Sequence, residues 1–277
     1  MNPLAGRGKH SELLSAITYD LEKRNVIFFV FIAPWKIDPD DFTHIYILGG
    51  DGTVNHFINQ YPSCRTPISL FNTGTGNDFY WKLHGTPTLA HQLEIAFSGD
   101  EKRVDAGVCN GRYFVNGAGF GFDGAVVECM NRKKKLLTGL PVYYYSVVKM
   151  ILKYRSSLIE VVADGERIDS TGTTFMVTVA NGSRFGGDFI VAPQASVTDA
   201  KFDLVIVKSL SVIKRLLHLP KMKKGRHVTL PFVYHRNASL ISINSTQPLA
   251  AHLDGELMID TRFSIRLLPE KFVFRCK

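Results

Sequence analysis

The sequence predicts an α/β domain with a parallel sheet, followed by a β-rich domain with an antiparallel, sandwich or barrel-like sheet. Up to residue 104, long apolar runs alternate with segments of helical spacing, which is typical of α/β layers. From residue 105 onward, short segments rich in β-forming residues follow one another between turn signals, which indicates antiparallel strands. The polar stretch SGDEKRVDAG marks the expected boundary, giving domains at 1–104 and 105–267.

The first domain is predicted to open with an amphipathic helix, because Leu14, Ile17 and Leu21 form one stripe. Two continuous apolar runs, NVIFFVFIAPW and HIYILGG, predict strands that are buried on both faces. PISLFNTGTGND predicts a further strand that runs into a glycine-rich turn, and TLAHQLEIAFSG has the spacing of a helix.

The second domain is predicted to consist mainly of short strands. One stretch, from Asp123 to Tyr154, is interpreted as mainly helical. The strand candidates are RYFVNGAG, LIEVVADGERI, TFMVTVAN, KFDLVIV, SLISINS, AAHLDGELMI and FSIRLLP.

Positive charge is concentrated in the second part of the chain. The net charge of +8 divides into 9 Lys+Arg against 11 Asp+Glu up to Val104, a net of −2, and 24 against 14 beyond it, a net of +10. A basic face of this kind attracts nucleic acid or an anionic membrane surface, although a single lysine cluster is more often an ordinary solvated surface.

The cysteine pattern and the apolar windows indicate a cytoplasmic protein. The 4 cysteines lie far apart without a CxxC pair, so neither a disulfide framework nor a zinc site is expected. The apolar windows are too short for a membrane span or are interrupted by Pro141 and Lys149.

Three glycines surround a single acid in ILGGDGTVNHFIN, where a predicted strand meets a predicted helix. A glycine-rich turn lets backbone N–H groups approach phosphate, and a helix that starts there adds its positive dipole end. Asp51 fits such a turn if it binds Mg²⁺ or takes a proton from an attacking hydroxyl; a tight structural turn is the alternative.

A second glycine-rich corner, TGTGND, follows the next predicted strand. Because the carboxyl ends of parallel strands meet at one edge of a sheet, we expect the two corners to converge there. The opening NPLAGRGK is a candidate for a third phosphate-facing loop.

Several acidic residues in the second domain are candidates for chemistry. Asp254 and Glu256 flank a glycine in HLDGE, which predicts either a type I′ hairpin turn or a carboxylate pair that serves as base and metal partner. Asp199 could hold Mg²⁺ together with neighbouring carbonyls, or lie in an ordinary loop. The GFGFDG stretch matches a dinucleotide motif by letter only, since no βαβ unit follows it, and we interpret it as structural turn chemistry.

Taken together and in this order, the motifs resemble those of the diacylglycerol kinase catalytic family of lipid kinases, which includes bacterial diacylglycerol kinases and sphingosine kinases. The stretches that carry the resemblance are NPLAGRGK, GGDGTVN, TGTGND, YFVNGAGFGFDG, APQASVTDAKFDL and HLDGE. GGDGT alone is also similar to the motif of NAD kinases and phosphofructokinases, whereas the full series is far more specific.

The resemblance implies a nucleotide-binding first domain, a lipid-binding second domain, an active site in the cleft between them, and a last segment, 268–277, that packs back onto the first domain. It implies Glu256 as the catalytic acidic residue with Asp254 beside it, and Asp51 is a further candidate. An Mg²⁺ site would use Asp199 with the carbonyls of Ser196 and Lys201. The implied ATP contacts are Asn2, Pro3, Gly6, Gly49, Gly50, Asp51, Gly52, Thr53, Val54, Asn55 and Thr75.

The function implied is an ATP- and Mg²⁺-dependent lipid kinase that phosphorylates a free hydroxyl, with diacylglycerol as the expected acceptor. The expected partners are the lipid and the anionic inner face of a membrane, bound peripherally, with no nucleic acid; a homodimer is left open. Two alternatives remain at this point: a soluble kinase of the NAD or sugar-phosphate type, and a non-catalytic nucleotide- or lipid-binding relative.

Overall fold

The computed structural model describes residues 9–133, 140–168 and 172–277. The chain divides into two compact units. Unit 1 contains the residues up to Val104 together with Lys271–Lys277, and unit 2 contains Asp105–Glu270.

Unit 1 is built from helices around a short parallel sheet. Its strands are β1 (Ile45–Gly49) and β2 (Ile68–Asn72). Its helices are α1 (Lys9–Lys23), a 3-10 helix (Pro39–Asp41), α2 (Asp51–Gln60), α3 (Asp78–His84) and α4 (Leu89–Ser98).

Unit 2 is mainly antiparallel sheet, and its first and last strands begin or end in unit 1. Its helices are α5 (Phe122–Lys133), α6 (Leu140–Lys153) and α7 (Val212–Lys223). Its strands are β3 (Asp100–Cys109), β4 (Arg112–Phe114), β5 (Gly117–Gly121), β6 (Ile159–Ala163), β7 (Glu166–Ile168), β8 (Thr174–Ala180), β9 (Arg184–Phe185), β10 (Phe189–Ile190), β11 (Phe202–Lys208), β12 (Val233–Ala238), β13 (Leu240–Leu253) and β14 (Glu256–Cys276).

The sheet of unit 1 is parallel, as predicted. β1 pairs with β2 in register from Ile45↔Ile68 to Gly49↔Asn72, and the end of β14 joins β2 in parallel at Phe274↔Ile68. Since both strands run the same way, Gly49 and Asn72 lie at the same edge of the sheet, and the chain leaves both strands there.

The predicted strand at NVIFFVFIAPW does not form. Residues 26–32 contain neither helix nor strand, and Ile27 and Phe29 are 88% and 68% exposed. The physical reason is the connection: only the 9 residues KIDPDDFTH separate this run from β1, whereas a crossover between parallel strands needs about a dozen. An apolar cavity of about 360 Å³ lies among α1, this segment and β1 instead.

The sheet of unit 2 has the order β14-β13-β5-β8-β11-β12, with β6 and β7 added beyond β13 and β4 paired with β3. Within unit 2, every strand pair with a defined register is antiparallel. The described strands form an open sheet and not a closed barrel. The predicted fold class is therefore confirmed. The helical interpretation of 123–154 is also confirmed wherever the structure describes this stretch, as α5 and α6.

Glycines allow α5 to pack closely against the sheet. A Cβ atom on Gly124 would lie 2.0 Å from the carbonyl oxygen of Ala250 in β13, so a side chain there would push the helix off the strand. One on Gly119 would lie 2.7 Å from Cβ of Asp123. The GFGFDG glycines thus serve packing in the strand and helix that contain them, in line with our interpretation of this motif.

Candidate active site

The first glycine-rich corner joins β1 to α2, and its glycines are required by close contacts. A Cβ atom on Gly49 would lie 2.3 Å from the side chain of Thr53, so Thr53 packs over a position that only glycine fits. Gly50 is the N-cap of α2 and provides no side-chain cap, while its carbonyl accepts from the N–H groups of Thr53 and Val54 at 2.9 and 3.2 Å. The corner is thus the open N-terminus of a helix, where backbone groups and the helix dipole favour an anion.

The side chains that follow the corner turn inward. Thr53, Val54 and Asn55 are 3 to 5% exposed, so their side chains lie in the interior of unit 1. Any contact of these three predicted ATP ligands with a nucleotide must therefore be made largely by the backbone.

The second corner lies directly against the first, which confirms the predicted convergence. A Cβ atom on Gly74 would lie 2.7 Å from Cα of Gly50, and the N–H of Thr73 donates to the carbonyl of Gly49 at 3.1 Å. Two backbones approach this closely only where neither residue has a side chain.

Asp51 connects the two corners. Its carboxylate accepts hydrogen bonds from the backbone N–H groups of Asp78, at 2.9 Å, and Phe79, at 3.2 Å, in the first turn of α3. Both oxygens therefore face helix N–H donors, a position that stabilises a negative charge. This contact explains why an acid is found within a phosphate-type turn.

The TGTGND corner also contributes hydroxyl groups. Thr75 is exposed, whereas Thr73 is 8% exposed and its Oγ1 has no hydrogen-bond partner among the described residues. A buried hydroxyl without a partner is costly, and a bound polar group would satisfy it. The sequence analysis did not single out Thr73, because the letters of the motif do not show which of its threonines is buried. Asn2, Pro3 and Gly6 lie outside the described residues.

The HLDGE stretch forms a two-residue hairpin between β13 and β14. Leu253 pairs with Glu256, and Asp254 and Gly255 have φ angles of 49° and 86°. Positive φ at both central residues is the requirement of a type I′ turn, so this part of the prediction is confirmed.

The two acids of this turn have different surroundings. Asp254 is 8% exposed, and its carboxylate accepts from the backbone N–H groups of Val115, Asn116 and Gly117 at 2.8, 2.9 and 2.8 Å. Glu256 is exposed at the start of β14. Hence Asp254 secures the turn to the segment before β5, while the carboxylate of Glu256 is accessible.

A buried histidine and an aspartate lie together beneath this turn. The Nδ1 atom of His252 accepts from the N–H of Gly255 at 3.3 Å, so in the neutral ring the proton is on Nε2. A Cβ atom placed on Gly119 would lie 2.6 Å from that Nε2 and 2.9 Å from Oδ2 of Asp123. Because Gly119 has no side chain, both groups occupy the space where one would lie.

Burial changes the protonation of both groups. Desolvation raises the pKa of Asp123 to about 7, opposed by a hydrogen bond that the Thr178 hydroxyl donates at 3.3 Å. Desolvation lowers the pKa of His252 to about 4. His252 is therefore neutral at pH 7, whereas the pKa of Asp123 lies close to that pH. The sequence analysis did not single out Asp123 as a site residue. The available signal was an acid that closely follows three glycines at every second position.

The candidate cation loop, Ser196 to Lys201, is held in place by Asp105. This aspartate is 1% exposed, and its carboxylate accepts from the N–H groups of Ala200 and Glu270, each at 2.8 Å. Its own N–H donates to the carbonyl of Val197 at 2.8 Å. The sequence analysis missed Asp105, because a lone aspartate in a strand has no distinguishing spacing.

Within this loop, Asp199 is exposed and its Oδ1 accepts from the N–H of Lys201 at 3.2 Å. The hydroxyls of Ser196 and Thr198 lie 3.4 Å apart. Oxygen atoms are the donors that a hard cation prefers. Across the described ranges no group of three or more His, Cys, Asp or Glu side chains could hold a metal ion, so a cation here would depend on one carboxylate and backbone carbonyls.

Replacing Asp254 by Asn is expected to destabilise the protein by about 3 kcal/mol, because three buried N–H groups lose a charged acceptor. The change should appear as a lower urea midpoint of unfolding. Glu256→Gln, two residues away on the same turn and exposed, is the matched control and should shift stability by less than about 0.5 kcal/mol. Equal losses in the two variants would show that these three hydrogen bonds do not secure the turn.

Replacing Asp123 by Asn should change how stability depends on pH. Because folding raises the pKa of Asp123 to about 7, its protonation stabilises the folded chain; the contribution is complete below about pH 4 and is lost as the pH rises through 7. The melting temperature of Asp123→Asn relative to the unmodified protein should therefore increase from pH 4 to pH 8, measured by circular dichroism. The exposed Asp100→Asn is the control, and a difference that stays flat with pH contradicts the assignment.

Comparisons with known proteins cover both units. Residues 1–109 match the family model described as "Diacylglycerol kinase catalytic domain", and residues 116–274 match "YegS C-terminal NAD kinase beta sandwich-like domain". A diacylglycerol kinase of Bacillus subtilis (strain 168) is 28% identical over 220 residues, covering 78% of this chain and 72% of the relative. A diacylglycerol kinase of Staphylococcus carnosus (strain TM300) is 27% identical over 220 residues, covering 78% and 71%.

Solved structures share the fold. A crystal structure of a candidate diacylglycerol kinase from Bacillus anthracis str. Sterne superposes with a TM-score of 0.78 at 24% identity, covering 100% of this chain and 95% of that chain. A second, described as a diacylglycerol kinase from the same organism, gives 0.72 at 22% identity, covering 100% and 94%. The two family-model matches, at 1–109 and 116–274, together cover nearly all of the 277 residues. The chain therefore belongs to the diacylglycerol kinase catalytic family of lipid kinases.

Proposed function

We propose that this protein transfers the γ-phosphoryl group of ATP to the free hydroxyl of a membrane lipid, and that the lipid is diacylglycerol, which gives phosphatidic acid. The observation that carries the proposal is the pair of glycine-rich corners that Asp51 holds together at the open N-terminus of α2. The two relatives named diacylglycerol kinase support the choice of acceptor, since each matches more than 70% of both chains.

ATP fits the chemistry of these corners. The backbone at 49–52 offers the N-terminal end of α2 to phosphate, and the close approach of Gly50 and Gly74 brings the second corner beside it. The buried Oγ1 of Thr73 and the exposed hydroxyl of Thr75 are donors for phosphate or ribose oxygens. Asn2, Pro3 and Gly6 remain predicted ligands.

A divalent cation, which we propose to be Mg²⁺, would be held by Asp199 with the carbonyls of Ser196 and Lys201. Oxygen donors suit this ion, and Asp105 keeps the loop in one conformation. When bound, the ion neutralises charge that develops on the phosphoryl oxygens.

The proton of the acceptor hydroxyl is proposed to pass to Glu256. The hydroxyl oxygen forms a bond to the γ-phosphorus, the bond from that phosphorus to the bridging oxygen breaks, and ADP leaves. Glu256 is suited to the task because its carboxylate is exposed, whereas the oxygens of Asp254 and Asp51 accept backbone N–H groups. Asp254 and Asp51 then act as positioning residues.

The lipid acceptor implies that the protein works at a membrane surface. No helix among the described residues combines the length and apolar character that a bilayer crossing requires. The net charge of +10 from Asp105 onward favours peripheral attraction to anionic lipid.

A soluble kinase is the second candidate function. It is favoured by the family model for residues 116–274, whose description names a NAD kinase-like sandwich. Phosphorylation of NAD or a sugar phosphate, without phosphorylation of lipid, would support it.

The proposal is tested by incubating the protein with labelled ATP, Mg²⁺ and a panel of diacylglycerol, phosphatidylglycerol, ceramide and sphingosine, and by identifying the products. We expect labelled phosphatidic acid, and a loss of at least about 100-fold for Glu256→Gln because the general base is removed. Asp260→Asn, an exposed acid on the same strand, should retain activity. ATP binding without turnover of any acceptor would instead indicate a non-catalytic relative and overturn the proposal.

A further inference from the structure

Helix α6 in unit 2 is apolar on two opposite faces. Tyr145, Val148 and Leu152 are 47%, 50% and 53% exposed and follow one another at spacings of three and four, so they form one stripe on the outside of the helix. A solvent-facing helix normally carries polar residues there. On the opposite face, Val147 and Ile151 are only 4% and 2% exposed.

Helix α7 exposes a second apolar stripe. Ile213, Leu216 and Leu217 are 79%, 46% and 68% exposed, at spacings of three and four from the first residue. Leu219 and Met222 of the same helix pack against the core cluster that also contains Val147 and Ile151. The exposed stripe therefore points away from that core, as it does in α6.

Arg215 fixes one end of α7 to the end of α6. Its guanidinium donates to the carbonyl oxygens of Ile151 and Tyr154 at 3.0 and 2.8 Å, where α6 terminates and its last carbonyls need donors. The same group lies 4.5 Å from the ring centre of Phe175, which fixes its orientation.

The other ends of the two helices meet at Asp188. Its carboxylate accepts from the hydroxyl of Tyr144, near the start of α6, and pairs at 2.9 Å with the ammonium group of Lys223, the last residue of α7. The two helices thus run side by side in opposite directions and are fixed at both ends. Both exposed stripes point away from the core cluster on which the two helices pack, and we refer to them together as the α6–α7 face, defined by Tyr145, Val148, Leu152, Ile213, Leu216 and Leu217.

The α6–α7 face is surrounded by positive charge. Residues 140–155 contain 3 Lys+Arg and residues 209–229 contain 6, while neither stretch contains Asp or Glu. Lys223 and Arg215 are engaged as described, so the lysines at positions 149, 153, 214, 221 and 224 supply the charge that faces outward. Exposed apolar residues rimmed by lysine are the composition of helices that lie in a membrane interface.

We propose that the α6–α7 face docks onto an anionic lipid bilayer, with its apolar side chains among the headgroups and its lysines against the lipid phosphates. Nucleic acid would attract the lysines but offers nothing to six exposed apolar side chains. A second copy of the chain would bring two sets of positive charges together. The proposal rests on the proposed function only in that the lipid acceptor brings the protein to a bilayer; docking itself needs no ATP.

The test is co-sedimentation with vesicles of phosphatidylcholine containing one third phosphatidylglycerol, without ATP. We expect the unmodified protein to bind, to release as salt is raised, and to bind pure phosphatidylcholine poorly. Leu216→Glu with Leu217→Glu should weaken binding at least tenfold. The matched control is Leu240→Glu with Ile259→Glu, which places the same charges at positions of 53% and 52% exposure outside this face and should bind normally.

A second variant, Lys214→Glu with Lys221→Glu, removes charge without touching the apolar stripe and should also lose binding. Unchanged vesicle binding of the α7 variants, or a loss shared with the control, would overturn the proposal, as would capture of duplex DNA in place of vesicles. Self-association that disappears in Leu216→Glu with Leu217→Glu, without vesicle binding by the unmodified protein, also overturns it.

The outcome is separable from that of the kinase proposal. With a short-chain, water-soluble diacylglycerol the α7 leucine variant should retain its rate, and only turnover on vesicles should fall. If the unmodified protein phosphorylates no lipid but its vesicle binding still depends on the α7 leucines, the docking surface stands and the proposed function fails.

Discussion

The candidate site depends on hydrogen bonds from backbone N–H groups to aspartate carboxylates. Asp51 receives two such bonds, Asp105 two and Asp254 three. Each carboxylate joins segments that are distant in sequence. Asp51 joins the two glycine corners, Asp105 joins β3 to the cation loop and to β14, and Asp254 joins the hairpin turn to β5 and the residues before it. Charge-assisted bonds of this type are about twice as strong as neutral ones, which suits turns that have few side chains of their own.

A sequence motif shows that an acid is present, but it does not show whether the carboxylate is bonded to the backbone or is available to a ligand. In GGDGT and in HLDGE an acid is required, but its carboxylate oxygens are occupied by the backbone, and the neighbouring groups remain for a ligand. At the two glycine-rich corners these groups are the N–H donors at the start of α2 and the hydroxyls of Thr73 and Thr75. At the turn the remaining group is the carboxylate of Glu256.

Much of the fold and part of the site could be predicted from local pattern. The convergence of the corners followed from the parallel run of β1 and β2, and the type I′ turn followed from Asp-Gly between apolar residues. Asp105 could not be found this way, because its importance arises from burial and from partners that lie 95 and 165 residues away. Thr73 could not be found either, because its importance arises from burial and from a hydroxyl that has no hydrogen-bond partner among the described residues. Strand propensity was misleading at residues 26–32, where a short connection prevents the pairing that the composition favours. His56, which directly follows the GGDGTVN motif, packs against the ring of Trp35, with the ring centres 5.4 Å apart.

The segment 26–32, which forms no strand, also affects how the protein behaves in concentrated solution. VIFFVFI contains no charge, no proline and no glycine, its side chains at 27, 29 and 32 are more than half exposed, and β1 nearby has no sheet partner other than β2 in the described part of the chain. Segments of this composition next to an open strand edge pair with the same segment of other chains and form intermolecular sheets. Aggregation of this protein during expression or storage should therefore begin at these seven residues, and a lysine within them is the simplest way to keep it dispersed.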